Sequence, residues 1–291
     1  MHAERLENNP IILPHMDEKM GHNINGPSLI QIPEWVENPL GKYYLYFACH
    51  NGKYIRLAYA DELAGNWKTH TLGTLQLEDS FCQRHLASPD VHINQENQEI
   101  IMYYHGPVHN AEKQQSKVAI SKDGIQFTAF PENLGNSYFR VFWWKKFAYA
   151  LAMPGIFYRS KDGLKNFQQG PTLFSENMRH SAIKLDDNQL TVFYSNKLDC
   201  PERILCSTID LTPDWMDWQP SPAETVLEPE TEYEGADLAL TPSKSGKINN
   251  RVRQLRDPCI YREGNETYLL YSIAGEHGIA IAKLTKPENH S

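Results

Sequence analysis

Three carboxylates are the clearest candidates for acid–base chemistry in this sequence. Asp90 lies in the triplet SPD and Asp257 in the triplet RDP, each beside a proline at the start of an apolar run. Glu234 lies in an acidic segment, EYEGAD, that begins at residue 232. One protonated and one ionised carboxyl group can together donate and accept the protons of a bond cleavage. Asp257, Glu234 and Asp90 are therefore candidate catalytic residues.

Arginine and histidine occupy similar positions at the starts of other apolar runs. Arg140 begins one run, the pair Arg179-His180 begins another, and Arg256 precedes Asp257. A guanidinium group can bind a carboxylate or a sulfate through two parallel hydrogen bonds. These cations predict recognition of an anionic group. They could equally pair with the chain's own carboxylates and neutralise the channel.

A repeated strand pattern indicates what must position these side chains. Short β-branched and aromatic runs separated by turn residues fill the chain, and no long helical period of apolar residues occurs. A unit of short strands recurs at residues 25–75, 86–130, 136–172, 178–218 and 254–285, with an insertion at 219–253. The repeat predicts a single all-β domain over residues 1–291, a five-bladed β-propeller whose ring is closed by the N-terminal segment Pro10–Pro14.

The propeller has a direct consequence for the candidate residues. The innermost strand of each blade begins at the central channel, so polar residues at the strand starts face one shared funnel. Asp90, Arg140, His180 and Asp257 are thus expected to converge although they lie up to 167 positions apart. In the alternative fold, a β-sandwich, the same strand starts would divide between two ends.

The strand starts resemble those of the five-bladed glycoside hydrolases of family 43 and of the related families 32, 68, 117 and 130. Blades in that group open on Ala-Asp-Pro or Ala-Pro-Asp and continue into a strand such as KYYLY. In this chain the openings are NGPS from residue 25, SPDV from residue 88 and RDP from residue 256, and KYYLY occurs from residue 42. The resemblance covers most of the chain and implies a propeller that handles carbohydrate.

The resemblance also implies roles for individual residues. Asp257 matches the blade-opening Asp used as base or nucleophile, and Asp90 matches the Asp that tunes the acid and orients the substrate. Glu234 resembles the general acid of family 43, with Ala236 in place of the proline that follows that acid.

The first blade departs from the family pattern. Asn25-Gly26 stands where family 43 has its catalytic base, and an amide cannot take a proton from water at neutral pH. The role of base therefore moves to Asp257 or is absent. Asn25 and His22, which belong to a stretch rich in Gly, Asn and His, are expected to reach the funnel and bind substrate; a histidine acting as acid would be similar to family 117.

Three functions are consistent with these residues. Glycosidic bond cleavage requires one protonated carboxyl for the leaving oxygen and one ionised carboxylate to activate water or attack carbon. The sequence therefore predicts a glycoside hydrolase-like enzyme that acts on a small oligosaccharide, uronic or sulfated if the arginines bind an anion. The missing first-blade carboxylate also fits a non-hydrolytic carbohydrate-binding propeller. The arginines and His180 fit a lyase or epimerase acting on a uronic acid.

Composition limits the partners and cofactors. The formal net charge is -8 and no Lys/Arg-rich run occurs, which argues against nucleic acid as a partner. The sequence shows neither a signal-peptide core nor a run of about 18 apolar residues to span a membrane, so a cytoplasmic protein is expected. The five cysteines never show CxxC spacing, so no metal or other cofactor is predicted. The resemblance leaves a Ca²⁺ ion in the channel open, and the sequence does not specify the oligomeric state.

Overall fold

Five antiparallel sheets surround a central channel in the computed structural model, which describes residues 1–285. This arrangement confirms the all-β five-bladed propeller predicted from the repeat. Neighbouring sheets contact each other through their innermost strands. The described helices are three short 3₁₀-helices, Leu77–Asp79, Trp215–Asp217 and Glu232–Glu234. Among the described residues no helix is long and apolar enough to cross a membrane.

Each blade is ordered from its innermost strand at the channel to its outermost strand at the surface. Blade one consists of Asn25–Gln31, Tyr43–Ala48, Arg56–Ala60 and Lys68–His70. Blade two consists of Ala87–Asn94, Glu99–Gly106 and Gln115–Ser121, the last of which pairs with both Phe127–Ala129 and Gly135–Asn136. Blade three consists of Arg140–Trp144, Phe147–Ala152, Ile156–Ser160 and Gln168–Thr172. Blade four consists of Met178–Asp186, Gln189–Asn196, Ile204–Asp210 and Glu224–Leu227. Blade five consists of Arg256–Glu263, Glu266–Ser272, Ile279–Thr285 and His2–Arg5.

The last blade is completed by the first strand of the chain. His2–Arg5 pairs antiparallel with Ile279–Thr285 and supplies the outermost strand of blade five. N-terminal residues thus close the ring, but they are not the predicted segment Pro10–Pro14, which makes a single bridge between Ile12 and Ile279. Prolines at both ends of that segment lack the N–H groups that a strand ladder requires.

Apolar side chains fill the space between neighbouring blades. Between blades one and two, Tyr44 and Tyr46 belong to one buried cluster with Met102 and Tyr104. These residues come from the second strands of the two blades. The aromatic second strands therefore form the core, which leaves the starts of the innermost strands free to carry polar groups.

Each innermost strand begins with the same local irregularity. Its pairing with the second strand shifts register in blades one, two, four and five, across Gly26, Ser88, His180 and Asp257. Those four residues and Tyr138, the equivalent residue of blade three, have φ values between 49° and 72°. Non-glycine residues rarely adopt this left-handed conformation. An extra residue in a strand bends it and re-aims the side chain, in this fold at the channel. We call these five residues the bulge ring.

Candidate active site

Four members of the bulge ring, Ser88, Tyr138, His180 and Asp257, line a cavity of about 650 Å³ that we call the main cavity. Residues from all five blades contribute to its wall, and exposed residues of segments 112–114 and 245–246 form its rim. A concave site of this size can enclose a small ligand.

Asp257 is the central buried carboxyl group of this cavity. It is 2% exposed, and its Oδ1 accepts a hydrogen bond from the Tyr138 hydroxyl at 2.7 Å. Its Oδ2 is buried and has no hydrogen-bond partner among the described residues. Burial, followed by the negative charge of Glu276, raises the pKa of Asp257. Because Oδ1 accepts from Tyr138, the proton of a neutral Asp257 resides on Oδ2, where a ligand can take it.

Tyr138 is held by packing on several sides. Its ring centroid lies 5.7 Å from that of His105 and 5.3 Å from that of His180. The guanidinium carbon of Arg140 lies 4.2 Å from the same centroid, a cation–π contact. These contacts hold the ring in the orientation in which its hydroxyl group donates a hydrogen bond to Asp257.

The two histidines beside Tyr138 are neutral. Burial, with nearby positive charge as a further cause, lowers the pKa of His180 well below its usual range and that of His105 to about 3. Nδ1 of each ring is buried and has no hydrogen-bond partner among the described residues. The His180 Nδ1 lies 3.6 Å from Asp257 Oδ1, which is too long for a hydrogen bond. Unpaired imidazole nitrogens can donate to or accept from the hydroxyl groups of a ligand.

A second carboxylate of the wall, Glu276, pairs with His50. Nδ1 of His50 lies 3.1 Å from Oε2 of Glu276, and Arg256 approaches Oε1 at 3.4 Å. Asn23 donates its amide to Oε2 and accepts the backbone N–H of His50 at 2.7 Å. Burial opposes ionisation of Glu276, but His50 and Arg256 outweigh it and hold the pKa of Glu276 below its usual value. The two buried carboxyl groups of the main cavity thus have pKa values shifted in opposite directions, upward for Asp257 and downward for Glu276.

Two of the predicted substrate-binding arginines are paired with a buried glutamate. Glu202 accepts hydrogen bonds from Nε and Nη2 of Arg179, at 2.9 and 2.6 Å, and from Nη2 of Arg256 at 2.7 Å. Arg179 lines the main cavity, whereas Arg256 is fully buried and does not. The guanidinium forks are therefore occupied by the protein's own carboxylate. Of the two interpretations drawn from the sequence, these contacts support neutralisation of the channel.

Asp90 and Arg140 lie in a second cavity, of about 160 Å³, formed by the innermost strands of all five blades. Asp90 Oδ2 accepts hydrogen bonds from His92 at 2.7 Å and from the backbone of Val141 at 2.8 Å. Arg140 donates to the backbone carbonyl of Ser181 at 2.8 Å. Polar contacts thus hold Asp90 and Arg140 in the second cavity rather than in the main cavity.

Of the four residues expected to converge on one funnel, His180 and Asp257 line the main cavity, whereas Asp90 and Arg140 line the second cavity. Asp257 precedes a proline and lies in the bulge ring, whereas Asp90 follows its proline. In the strand pairing, Asp90 therefore occupies the position of Cys259, two residues further along the strand. Two similar triplets thus place their aspartates in different cavities.

Glu234 and His22 do not line either cavity. Glu234 is fully buried, where it binds Nε and Nη2 of Arg5 at 2.8 and 3.0 Å and accepts from Tyr271 at 2.8 Å. It therefore ties the insertion to the strand that closes the ring. His22 contacts His15 at 3.0 Å. Asn25 does line the main cavity, and its amide donates to Asn23 at 3.1 Å.

The sequence reasoning missed the residues that follow or end the second strands. In an antiparallel hairpin the end of the second strand lies beside the start of the first. One such residue from every blade lines the main cavity: His50, His105, Met153, Lys197 and Glu276. The signal was present, because these residues interrupt or follow apolar runs such as YYLYFA and TYLLYS.

Among residues 1–285, no group of three or more His, Cys, Asp or Glu side chains is arranged to hold a metal ion.

No family model matches the chain. The uncharacterized protein R118 of Acanthamoeba polyphaga mimivirus is 36% identical over 299 residues, which cover 91% of this chain and 84% of that protein. This match extends through nearly the whole propeller.

Similar solved structures are carbohydrate-active propellers. A GH43_1 enzyme from Xanthomonas citri, complexed with xylose, is 12% identical with a TM-score of 0.63 and covers 97% of this chain and 92% of its own. A protein of the GH130 family, described as mannoside phosphorylases and glycoside hydrolases that target β-1,2-mannosidic linkages in Candida mannan, is 12% identical with a TM-score of 0.70 and covers 99% and 95%. A glycosyl hydrolase from Bacteroides ovatus is 12% identical with a TM-score of 0.68 and covers 99% and 94%. At this identity the likeness shows the fold.

Proposed function

The chain belongs to the same protein family as protein R118 of the mimivirus, and we propose that it is a glycosidase-like enzyme that acts on an oligosaccharide. The observation that carries the proposal is Oδ2 of Asp257, an unpaired and buried carboxyl oxygen of a residue that lines the main cavity. The fold supports it, because solved propellers of this shape include glycoside hydrolases.

In this proposal Asp257 is the proton donor. Cleavage of a glycosidic bond needs a carboxylic acid whose pKa is raised enough to keep its proton near neutral pH. Burial raises the pKa of Asp257, and the Tyr138 hydrogen bond leaves the proton on Oδ2. The proton passes from Oδ2 to the glycosidic oxygen as the bond to the sugar carbon breaks.

The shape of the main cavity favours removal of a terminal sugar. Tyr138 lines the main cavity and Arg140 lines the second cavity, and the two side chains stack at 4.2 Å. In this proposal the stacked pair separates the two cavities, so the main cavity receives the end of a glycan chain rather than its middle. The unpaired nitrogens of His105 and His180 would bind hydroxyl groups of the sugar that enters.

An acidic group on the substrate would bind at the rim rather than deep in the cavity. Arg179 is occupied by Glu202, whereas Lys113 and Lys197 line the main cavity and make no ion pair among the described residues. Each lysine is accompanied by a rim carboxylate, Glu112 or Glu176. We therefore propose that a uronic or sulfated residue, where the substrate has one, contacts Lys113 and Lys197.

The proposal is tested by a hydrolysis screen of the full chain. Neutral and uronic 4-nitrophenyl glycosides and small oligosaccharides are incubated with wild-type protein and with Asp257→Asn. Turnover by the wild type and its loss in Asp257→Asn are expected. Absence of turnover on every substrate, or equal activity of the two proteins, contradicts the proposal.

A second candidate function is non-hydrolytic carbohydrate binding. It is favoured by the first blade, where Asn25 lines the cavity and Gly26 has no side chain to act as a base. Under this function, calorimetry detects oligosaccharide binding by wild type and by Asp257→Asn, while neither protein cleaves the ligand. Turnover by the wild type excludes it.

A further inference from the structure

Glu112 and Glu176 lie at the exposed rim of the main cavity, and neither of its two buried carboxyl groups is free to activate water. Burial raises the pKa of Asp257, which suits it to donate a proton rather than accept one, and both oxygens of Glu276 contact cationic or amide groups. The first blade presents Asn25 and Gly26 at the place where the resemblance implies a base. A hydrolytic reaction in this cavity therefore needs a base of another kind.

His50 lies beside that place. Asn25 pairs with Ala48 across the first two strands of blade one, and His50 follows Ala48 by two residues. Both Asn25 and His50 line the main cavity. The side chain of His50 is 36% exposed, whereas that of Glu276 beside it is 2% exposed. The ring of His50 thus has one edge toward the protein and one edge toward the cavity.

Two contacts fix the orientation of His50. Glu276 accepts from Nδ1 at 3.1 Å, and Asn23 accepts from the backbone N–H at 2.7 Å. With Nδ1 as donor to an ionised carboxylate, Nε2 of a neutral ring carries the lone pair. Nε2 has no hydrogen-bond partner among the described residues, and it lies on the side of the ring away from the Glu276 contact. A carboxylate that orients a histidine is the usual arrangement of a general base.

We propose that His50 is the general base of the reaction and that Glu276 is its positioning residue. This inference rests on the proposed glycosidase function and adds the group that the first blade lacks. Nε2 of His50 takes a proton from water, and the water oxygen forms a bond to the sugar carbon. The bond from that carbon to the glycosidic oxygen breaks, and its electron pair stays on the oxygen, which receives the proton of Asp257. Asp257 then regains a proton from solvent and His50 returns its own to solvent, so that atoms and charges balance.

A histidine that acts as general base on water predicts a single displacement. Water attacks the carbon directly and no protein atom becomes bonded to the sugar, so the product is the inverted anomer. Proton NMR of the first turnovers distinguishes the two anomers. Formation of the retained anomer overturns the role of His50.

The variants His50→Gln and Glu276→Gln test the proposal with the aryl glycoside that the wild type hydrolyses. General-base catalysis contributes about 10²- to 10⁴-fold, so kcat/KM of His50→Gln should fall by that factor. Glu276→Gln should fall less, and the double variant should be no slower than His50→Gln, because Glu276 acts through His50. The exposed His109 is a matched control, and His109→Gln should keep wild-type activity.

The leaving group separates the base from the acid. A 2,4-dinitrophenyl glycoside needs no protonation of its leaving oxygen, so it should restore turnover to Asp257→Asn but not to His50→Gln.

The outcomes distinguish this inference from the proposed function. If Asp257→Asn is inactive on the 4-nitrophenyl substrate while His50→Gln stays within threefold of wild type, the role of His50 is refuted and the glycosidase function stands. If the wild type shows no turnover on any substrate, the proposed function is refuted and the role of His50 is refuted with it. Circular dichroism verifies that His50→Gln is folded, and His50→Asn takes its place if it is not.

Discussion

Replacement of Glu202 by glutamine tests whether buried charge pairing holds the wall of the main cavity in place. Glu202 is fully buried and its two oxygens accept four hydrogen bonds, three from Arg179 and Arg256 and one from Ser195 at 2.7 Å. Glutamine keeps the shape of the side chain but loses the charge. Its amide group donates hydrogen bonds, so it would face an arginine N–H without an acceptor.

The magnitude follows from the two arginines left behind. Removal of one partner from a buried ion pair typically destabilises a protein by about 3–5 kcal/mol, because the remaining charge is uncompensated. Arg256 retains Glu276 at 3.4 Å, so the expected loss for Glu202→Gln lies within this range rather than above it. The unfolding entropy of a chain of 291 residues is about 0.6 kcal/mol/K, which converts the loss to a decrease in Tm of about 5–8 °C.

Calorimetry of the wild type and Glu202→Gln measures this change. Glu99→Gln is the matched control, because Glu99 makes an exposed pair with Lys122 at 3.4 Å and such pairs contribute little. Its Tm should stay within about 1 °C of the wild type. If Glu202→Gln also unfolds within about 1 °C of the wild type, the assignment of the network as a stabilising element is refuted.

Three further substitutions address the carboxylates directly. Asp257→Asn should be more stable than the wild type at pH 7. Folding raises the pKa of Asp257, so the wild type loses stability as the pH rises from 3.8, the ordinary pKa of the group, through its raised pKa in the folded protein. The difference between the two proteins should vanish in melts below pH 3.8. Glu234→Gln should lower the free energy of unfolding by about 3 kcal/mol, since Arg5 loses its buried partner, yet leave kcat/KM unchanged; a large loss of activity in the folded variant would show that Glu234 acts in catalysis after all. Tyr138→Phe should move the high-pH limb of the plot of kcat/KM against pH to higher pH, because the Tyr138 hydrogen bond lowers the pKa of Asp257 and the variant loses that bond. An unchanged limb contradicts the role of Tyr138.

Strand starts could be located from sequence because the blade pattern repeats, and this placed Asp257, His180, Arg179 and Asn25 correctly on the cavity wall. The same reasoning could not separate Asp90 from Asp257. The two triplets differ in whether the aspartate precedes or follows the proline, and that difference moves the side chain two residues along the strand. Its consequence depends on the bulge, which is a feature of strand pairing and has no residue type of its own.

His50 and Glu276 could not be paired from sequence, because no local pattern joins residues 226 positions apart. Each lies just beyond a second strand, in a hairpin loop, and these loops differ from one blade to the next. Glu202 is further removed from any motif, since it lies in a loop between strands of blade four and reaches Arg256 of blade five. The network is therefore a product of tertiary packing.

The bulge ring bears on why the proposed base of blade one, His50, lies in a loop. Ser88, Tyr138, His180 and Asp257 adopt the left-handed conformation at a cost of about 1–2 kcal/mol each, and each presents a polar side chain to the main cavity in return. Gly26 occupies the same position without that cost, but a Cβ atom there would lie 3.0 Å from the Cα of Ser88. A side chain at this position would therefore crowd the backbone of blade two, and the positive φ of Gly26 disfavours one as well. The side chain that the start of this strand does present to the main cavity is Asn25, an amide that cannot act as a base. In the proposed mechanism the base of blade one is therefore His50, from its hairpin loop, where Glu276 holds it.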